Sequence, residues 1–114
     1  MKPVLYVWGC VPNSVLYKRI HFFFEHLQAK QGGKALLSFF PTDREAVYLQ
    51  SLLPLPDQLP GAITVTRTRG CVSCRVEQAA FLPLLQCLKA HSSSEELAAG
   101  LYASLLSLLG IVEL

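Results

Sequence analysis

The chain has 114 residues, of which 52% are hydrophobic and 16% are charged, and its net charge is +2. That length suits one domain over residues 1–114, and the apolar composition supplies a full core with apolar surface left for a partner. The few cations are scattered, whereas phosphate-backbone binding needs a basic stripe, so nucleic acid is excluded as the main ligand.

Hydrophobic periodicity and turn residues predict eight elements. Four strands are predicted, at residues 3–9, 35–40, 62–68 and 71–76. Four helices are predicted. The first is capped by Asn13 or Ser14 and stopped by Gln31-Gly32-Gly33, and the others run from Glu45 to Leu53, from Glu77 to Ala90, and from the Ser-rich segment 92–94 to Gly110. The last residues, 111–114, are expected to form a short apolar tail outside these elements.

The strands differ in their expected burial. The run at 3–9 is continuously apolar, which is typical of a strand buried on both faces. The segment 62–68 alternates apolar residues with threonines, which predicts a half-exposed strand. Arg69-Gly70 then makes a turn, so that residues 71–76 return as the second strand of a hairpin.

This order of elements predicts an α/β fold. A parallel strand–helix–strand start, followed by a hairpin and a closing helix, is the thioredoxin-like βαβαββα order, here with an additional C-terminal helix. In that fold a proline, typically cis, precedes the third strand and faces the N-terminus of the first helix. Pro60 in the Q-L-P-G segment occupies the corresponding place.

The segment 97–112 is the one candidate for a membrane span. It is nearly uncharged, but it is short and contains Gly100, Ser104 and Ser107, so a buried helix is predicted instead. The first apolar run ends at Gly9, which is too short for a signal peptide. Four cysteines without a secretory signal indicate free thiols in a reducing compartment, and we expect a cytoplasmic protein that does not contact a membrane.

The junction between the first strand and the first helix carries a cysteine. Residues 10–13 read C-V-P-N, at the place where thioredoxins carry C-G-P-C. Cys10 would lie at the positive end of a helix, where the thiolate is favoured. Asn13 cannot act as the resolving thiol, so a thioredoxin-type disulfide reductase is disfavoured. A monothiol role for Cys10 stays open.

The longer stretch L-Y-V-W-G-C-V-P-N-S-V, residues 5–15, resembles the N-terminus of the KaiB family, thioredoxin-like proteins of the cyanobacterial circadian clock. That family carries the pattern L-Y-V-x-G-x-x-P-N-S-V. The matching residues are Leu5, Tyr6, Val7, Gly9, Pro12, Asn13, Ser14 and Val15. The specific resemblance covers roughly the first quarter of the chain. Beyond it, L-P-G-A-I-T-V is a loose match to the family's A-T-P-T-L segment, and the G-C-V-S-C hairpin has no counterpart.

The resemblance implies binding rather than catalysis. Proteins of this family dock on a ring-shaped clock ATPase, compete with a sensor kinase for it, and switch between two folds. Pro12, Asn13, Ser14 and Pro60 would then be fold-signature residues. We therefore expect a protein partner and no cofactor, and formation of a homo-oligomer stays open.

Five cationic residues and two further cysteines complete the set of candidate functional residues. The cations that could bind an acidic partner surface are Lys18, Arg19, Arg67, Arg69 and Arg75. Cys71 and Cys74 would point to opposite faces of a strand, so two separate thiols are expected, with a redox pair as the alternative. No second ligand pair at zinc-finger spacing accompanies them, and no metal is expected.

Two enzymatic alternatives stay open. One is a thiol-dependent or glutathione-handling enzyme that uses Cys10. The other is a truncated glutathione-transferase-like domain, suggested by the extra C-terminal helix, in which Ser14 or Cys10 faces glutathione.

Overall fold

A computed structural model describes residues 3–53, 55 and 61–114. In chain order they form β1 (Val4–Tyr6), α1 (Asn13–Gln31), β2 (Leu36–Phe39), α2 (Asp43–Leu52), β3 (Ile63–Thr68), β4 (Cys71–Glu77), α3 (Gln78–His91), α4 (Glu96–Leu108) and β5 (Ile111–Glu113). The structure is therefore mixed α/β. The elements follow one another as predicted through α4, and the C-terminal tail, for which the sequence predicts no element, forms a fifth strand.

The strands of the described residues pair in two sheets. β1 and β5 form a parallel pair in which Leu5 lies opposite Val112. The other sheet is antiparallel, with the order β2-β4-β3. The predicted parallel pairing of the first two strands is therefore wrong. An apolar run indicates that a strand is buried, but it does not specify which strand it pairs with.

The β3–β4 hairpin is confirmed. Thr68 lies opposite Cys71, and the two residues between them, Arg69 and Gly70, have φ angles of 48° and 78°. Positive φ at both central residues defines the type I′ turn, whose twist matches that of the paired strands. Glycine at the second position tolerates this conformation, whereas Arg69 adopts it at a steric cost.

The helices begin and end at residues that explain their bounds. The Thr42 hydroxyl accepts a hydrogen bond from the Glu45 amide at 3.2 Å, and the Glu45 carboxylate accepts one from the Thr42 amide at 2.8 Å. This reciprocal capping box fixes the start of α2. α1 ends at Gln31, and its C-cap is Gly32, whose φ of 70° suits glycine.

The core lies where the helices meet the inner face of the antiparallel sheet. On α1 the buried residues recur every four positions, at Leu16, Ile20 and Phe24, and the ring of Phe24 meets that of Phe81 on α3 edge-on at 5.8 Å. α1 packs on α3 and β2, and α2 packs on α4 and β4. The buried side of α4 is formed by Ala98, Leu101, Tyr102, Leu105 and Leu106, which confirms the predicted buried helix.

No helix in the described ranges is both long enough and apolar enough to cross a bilayer.

The first strand differs from its prediction in burial. It covers three residues, and Leu5 is 57% exposed, whereas Val4 and Tyr6 are partly buried. β1 is therefore covered on one face. Trp8, which follows the strand, is 46% exposed.

Candidate functional site

The loop between β1 and α1 places Cys10 at the surface. The Cys10 amide donates to the Val7 carbonyl at 3.0 Å, and the side chain is exposed, while the next residue, Val11, is buried. Cys10 stands two residues before Pro12, the N-cap of α1. The thiol is thus accessible to a reagent or substrate from solvent.

The fold-signature residues surround the start of α1. The N-cap is Pro12, whose carbonyl accepts from the amides of Val15 and Leu16 at 3.1 Å each, and no side chain caps the helix. The expectation that Asn13 or Ser14 caps α1 is therefore wrong. These two residues form the first helical positions and are exposed. Pro60 lies outside the described residues, so its predicted proximity to this helix stays a prediction.

All four cysteines are free thiols. Cys71 is exposed and Cys74 is buried, because alternate residues of β4 face opposite sides of the sheet. Burial raises the pKa of Cys74 to about 12 and also raises the pKa of Cys87. These two thiols are consequently poor nucleophiles near neutral pH, since the thiolate is the reactive form.

The predicted cations do not form one patch on the hairpin. Arg67 lies opposite the buried Val72, whereas Arg75 lies opposite Thr64 on the exposed face of the sheet. Residues directly opposite each other share a face, so these two arginines point to different sides. Arg67 pairs with Asp43 at 2.8 Å, and Arg69 occupies the turn.

The two cations of α1 also differ from each other. Lys18 is exposed, whereas Arg19 is partly buried. The Arg19 guanidinium lies close to Gly110, since a Cβ placed on that glycine would stand 3.8 Å from Nη1. Arg19 is therefore next to the start of β5 rather than on an open surface.

The β1–β5 sheet exposes one apolar face to solvent. The register partners Leu5 and Val112 are 57% and 40% exposed. Val7 and Leu114, two residues further along, are 66% and 75% exposed. Hydrogen bonds from the Leu114 amide to the Tyr6 carbonyl and from the Trp8 amide to the Leu114 carbonyl extend the ladder to these positions. We call Leu5, Val7, Val112 and Leu114 the outer apolar face, and contiguous exposed apolar residues are typical of interaction surfaces.

The opposite face of the same sheet holds a polar group that the sequence did not single out. Tyr6 lies opposite Glu113, whose Oε2 accepts a hydrogen bond from the Gly9 amide at 2.5 Å. The other carboxylate oxygen, Oε1, is buried and has no hydrogen-bond partner within the described part of the chain. The hydroxyl of Tyr102 on α4 is likewise buried and unpaired there. Burial, and secondarily the Glu113 charge, raises the pKa of Tyr102 to about 12.

A cavity of about 160 Å³ lies beside Glu113, between the β1–β5 sheet and α4. Its walls include Trp8, Leu106, Ser107, Ile111 and Glu113. The Trp8 ring stands perpendicular to the Tyr102 ring, with a centroid distance of 6.1 Å. We call this cavity the Trp8–Glu113 pocket. Sequence reasoning missed it because its residues are separated by about a hundred positions along the chain.

Wider apolar grooves also lie elsewhere on the surface of the described residues, and two of them are several hundred Å³ in volume. The larger, about 560 Å³, runs between α1 and α3 and is lined by residues such as Tyr17, Ile20, Leu82 and Pro83. The other, about 490 Å³, lies beside α2 and includes Val47 and Tyr48. Among the described residues, no three His, Cys, Asp or Glu side chains come together in a way that could hold a metal ion.

No protein-family model matches the chain, and neither the curated proteins nor the solved structures contain a match to it.

Proposed function

We propose that this protein is a KaiB-like protein-interaction module without catalytic activity, which docks on a partner ATPase or sensor kinase. The observation that carries the proposal is the outer apolar face, which presents four apolar side chains on one side of the β1–β5 sheet. Burying such side chains against a partner gains roughly 25 cal/mol for each Å² removed from water. The stretch 5–15 that resembles the KaiB family contributes Leu5 and Val7 to this surface.

The proposal includes a cytoplasmic location and a second, thioredoxin-like arrangement of the chain. In that arrangement β1 would lie beside β2, and the C-terminal half would repack. The short pairing of β1 with β5 supports this second arrangement, because three register pairs would have to separate before β1 could pair with β2. Two packings within a few kcal/mol of each other suffice for a switch. NMR exchange spectra should then show two sets of amide peaks, and a single set without exchange would contradict the switch.

Direct binding measurements test the docking. The wild-type chain, labelled at its N-terminal amine, is titrated with a purified ring-shaped clock ATPase and with a purified sensor kinase, and anisotropy is recorded. Leu5→Asp should weaken binding at least tenfold, because it places a charge on the outer apolar face. The matched control is Thr66→Asp, at an exposed position of β3 on the other sheet. Absence of wild-type binding, or equal binding by Leu5→Asp, contradicts the proposal.

The second candidate function is a monothiol thioredoxin-like or glutathione-transferase-like enzyme that uses Cys10. It is favoured by the exposure of the thiol next to the N-terminal turn of α1. Alkylation of the native protein with iodoacetamide at pH 6, followed by mapping of the sites, separates the two functions. Rapid and selective modification of Cys10 would favour the enzyme, and slow modification at every cysteine would favour the binding module.

The five predicted cations have different places in this proposal. Lys18 and Arg75 are exposed and available to an acidic partner surface. Arg69 projects from the hairpin turn, whereas Arg67 is engaged with Asp43 and Arg19 lies beside Gly110. Exposed charges of this kind mainly steer association. Charge reversal at Lys18 or Arg75 should therefore lower the association rate constant by a larger factor than it raises the dissociation rate constant, and the association rate should then depend less on salt.

A further inference from the structure

One main-chain carbonyl of α3 lacks the donor that a helix normally provides. In an α-helix each carbonyl accepts a hydrogen bond from the amide four residues later, and proline has no amide hydrogen. Pro83 lies inside α3, so the carbonyl of Ala79 receives no such bond. The proline ring also crowds this carbonyl, and Ala79 is exposed. The Ala79 carbonyl is therefore available to a hydrogen-bond donor from outside the chain.

The same part of α3 forms one wall of the groove of about 560 Å³ between α1 and α3, which Ala79 and Pro83 both line. We call it the α1–α3 groove. The buried Ile20 and the partly buried Leu82 contribute apolar surface, and the exposed Tyr17 provides an aromatic ring on the α1 side. The volume lies within the range of roughly 300–1,000 Å³ that is typical of small-molecule sites, which are mostly apolar with a few polar groups. The groove is therefore large enough for a small organic molecule.

The lining of the α1–α3 groove determines the chemistry of its occupant. None of the lining residues in the described part of the chain carries a charge at neutral pH, so a charged ligand would lose hydration without gaining an ion pair. The side chains of Tyr17 and Pro83 offer flat surfaces against which an aromatic ring can pack. The Ala79 carbonyl accepts but cannot donate, so the ligand must supply an O–H or N–H group.

We propose that the α1–α3 groove binds a neutral aromatic small molecule that carries one O–H or N–H donor. The donor forms a hydrogen bond to the carbonyl of Ala79, and the ring lies between Tyr17 and Pro83, over the apolar surface of Ile20 and Leu82. This inference does not rest on the proposed docking function, because no residue of the outer apolar face lines this groove.

Two matched probes test whether the donor contributes to binding. Indole carries one N–H donor, whereas N-methylindole keeps the aromatic rings and lacks the donor. The full-length protein, isotopically labelled for NMR, is titrated with each probe at pH 7, and the backbone amide peaks are followed. We expect saturable shifts for Tyr17 and Ala79, with a Kd of about 1 mM for indole, in keeping with its few non-hydrogen atoms. N-methylindole should bind about fivefold more weakly, because one hydrogen bond between neutral groups contributes about this factor.

Restoring the missing helical donor tests the role of the Ala79 carbonyl. Pro83→Ala supplies an amide that donates to this carbonyl within α3, so indole should bind no more tightly than N-methylindole. The variant is expected to fold, because alanine is the best helix former and completes the hydrogen bonding of α3. Tyr17→Ala removes an exposed aromatic ring from the groove and should weaken the binding of both probes at least threefold. Gln86→Ala, at an exposed position of the same helix, is the matched control and should leave both Kd values unchanged.

The inference is supported if indole shifts the groove peaks saturably and binds more tightly than N-methylindole, and if Pro83→Ala removes that difference. It is overturned if neither probe gives saturable shifts at the groove residues, or if the two probes bind equally well to the wild type. Retention of the indole advantage in Pro83→Ala would exclude the Ala79 carbonyl as the acceptor. Wild-type affinity of Tyr17→Ala for both probes would exclude the groove as their site.

Discussion

Replacing Tyr102 by phenylalanine should stabilise the protein. The side chain is 1% exposed, and its hydroxyl is buried without a partner in the described residues. Leaving such a group unsatisfied costs about 1–3 kcal/mol, whereas phenylalanine keeps the ring in the same place against Trp8. We expect Tyr102→Phe to raise the free energy of unfolding by about 1 kcal/mol at pH 7, since part of the gain is offset by small adjustments in packing.

The same substitution should change how stability depends on alkaline pH. Tyr102 has a folded-state pKa of about 12 against 10.0 in the unfolded chain. The unfolded state therefore loses this proton first, and the stabilisation is complete below pH 10 and is lost as the pH rises toward 12. At pH 11 these two values give a loss of about 1.4 kcal/mol. Tyr102→Phe should lack this contribution, so its advantage over the wild type should grow between pH 9 and 11.

Urea unfolding of both proteins at pH 7, 9 and 11 measures these differences. Tyr17→Phe is the matched control, because Tyr17 is 67% exposed and its hydroxyl faces solvent. It should have the stability of the wild type at pH 7. The reasoning is refuted if Tyr102→Phe destabilises the protein by more than about 1 kcal/mol at pH 7, which is the result that a satisfied hydroxyl would give.

Three further predictions concern the fold. After treatment with iodoacetamide at pH 8, peptide mass spectrometry should find Cys71 modified and Cys74 unmodified, because Cys74 is fully buried and burial raises its pKa to about 12. Equal modification of the two cysteines would contradict this burial. Thr42→Ala removes the capping box of α2 and should lower the free energy of unfolding by about 1 kcal/mol in urea, and an unchanged midpoint would argue against the cap. Ile111→Ala should lower the free energy of unfolding in urea by about 2–4 kcal/mol, because the side chain is 1% exposed. Val112→Ala, on the outer apolar face, should lower it much less, and similar losses for the two variants would mean that β5 is not packed as described.

Local sequence signals were sufficient for the helices, the hairpin and the separation of β4 into two faces. The alternation of Val72, Cys74 and Val76 with polar residues has the period of a strand, and all three are buried. Arg69-Gly70 supplies the two positive φ angles that a two-residue hairpin turn requires. In these cases the residues that decide the structure are neighbours in the chain, so a short window contains the information.

The cap of α1 shows where local reasoning fails at short range. Asn13 and Ser14 have the side chains of cap residues, yet the helix begins one residue earlier, with Pro12 as the N-cap. The fixed φ of proline, here −65°, already suits the entry to a helix. Asn13 and Ser14 then enter the first turn and leave no side-chain cap.

What the sequence by itself determined is which segments become the four helices and the strands β1 to β4, and that the apolar residues and the threonines of β3 lie on alternate sides of that strand. Only the tertiary structure decided that β1 pairs with β5 instead of β2, and that Glu113 accepts a hydrogen bond from Gly9, 104 positions earlier in the chain. The physical reason is that the spacing of apolar residues shows which face of a strand is buried, but it does not show which other strand pairs with it. The pairing partner is selected by the combined packing of the whole chain. The outer apolar face and the Trp8–Glu113 pocket both depend on that selection, so neither could be predicted from local patterns.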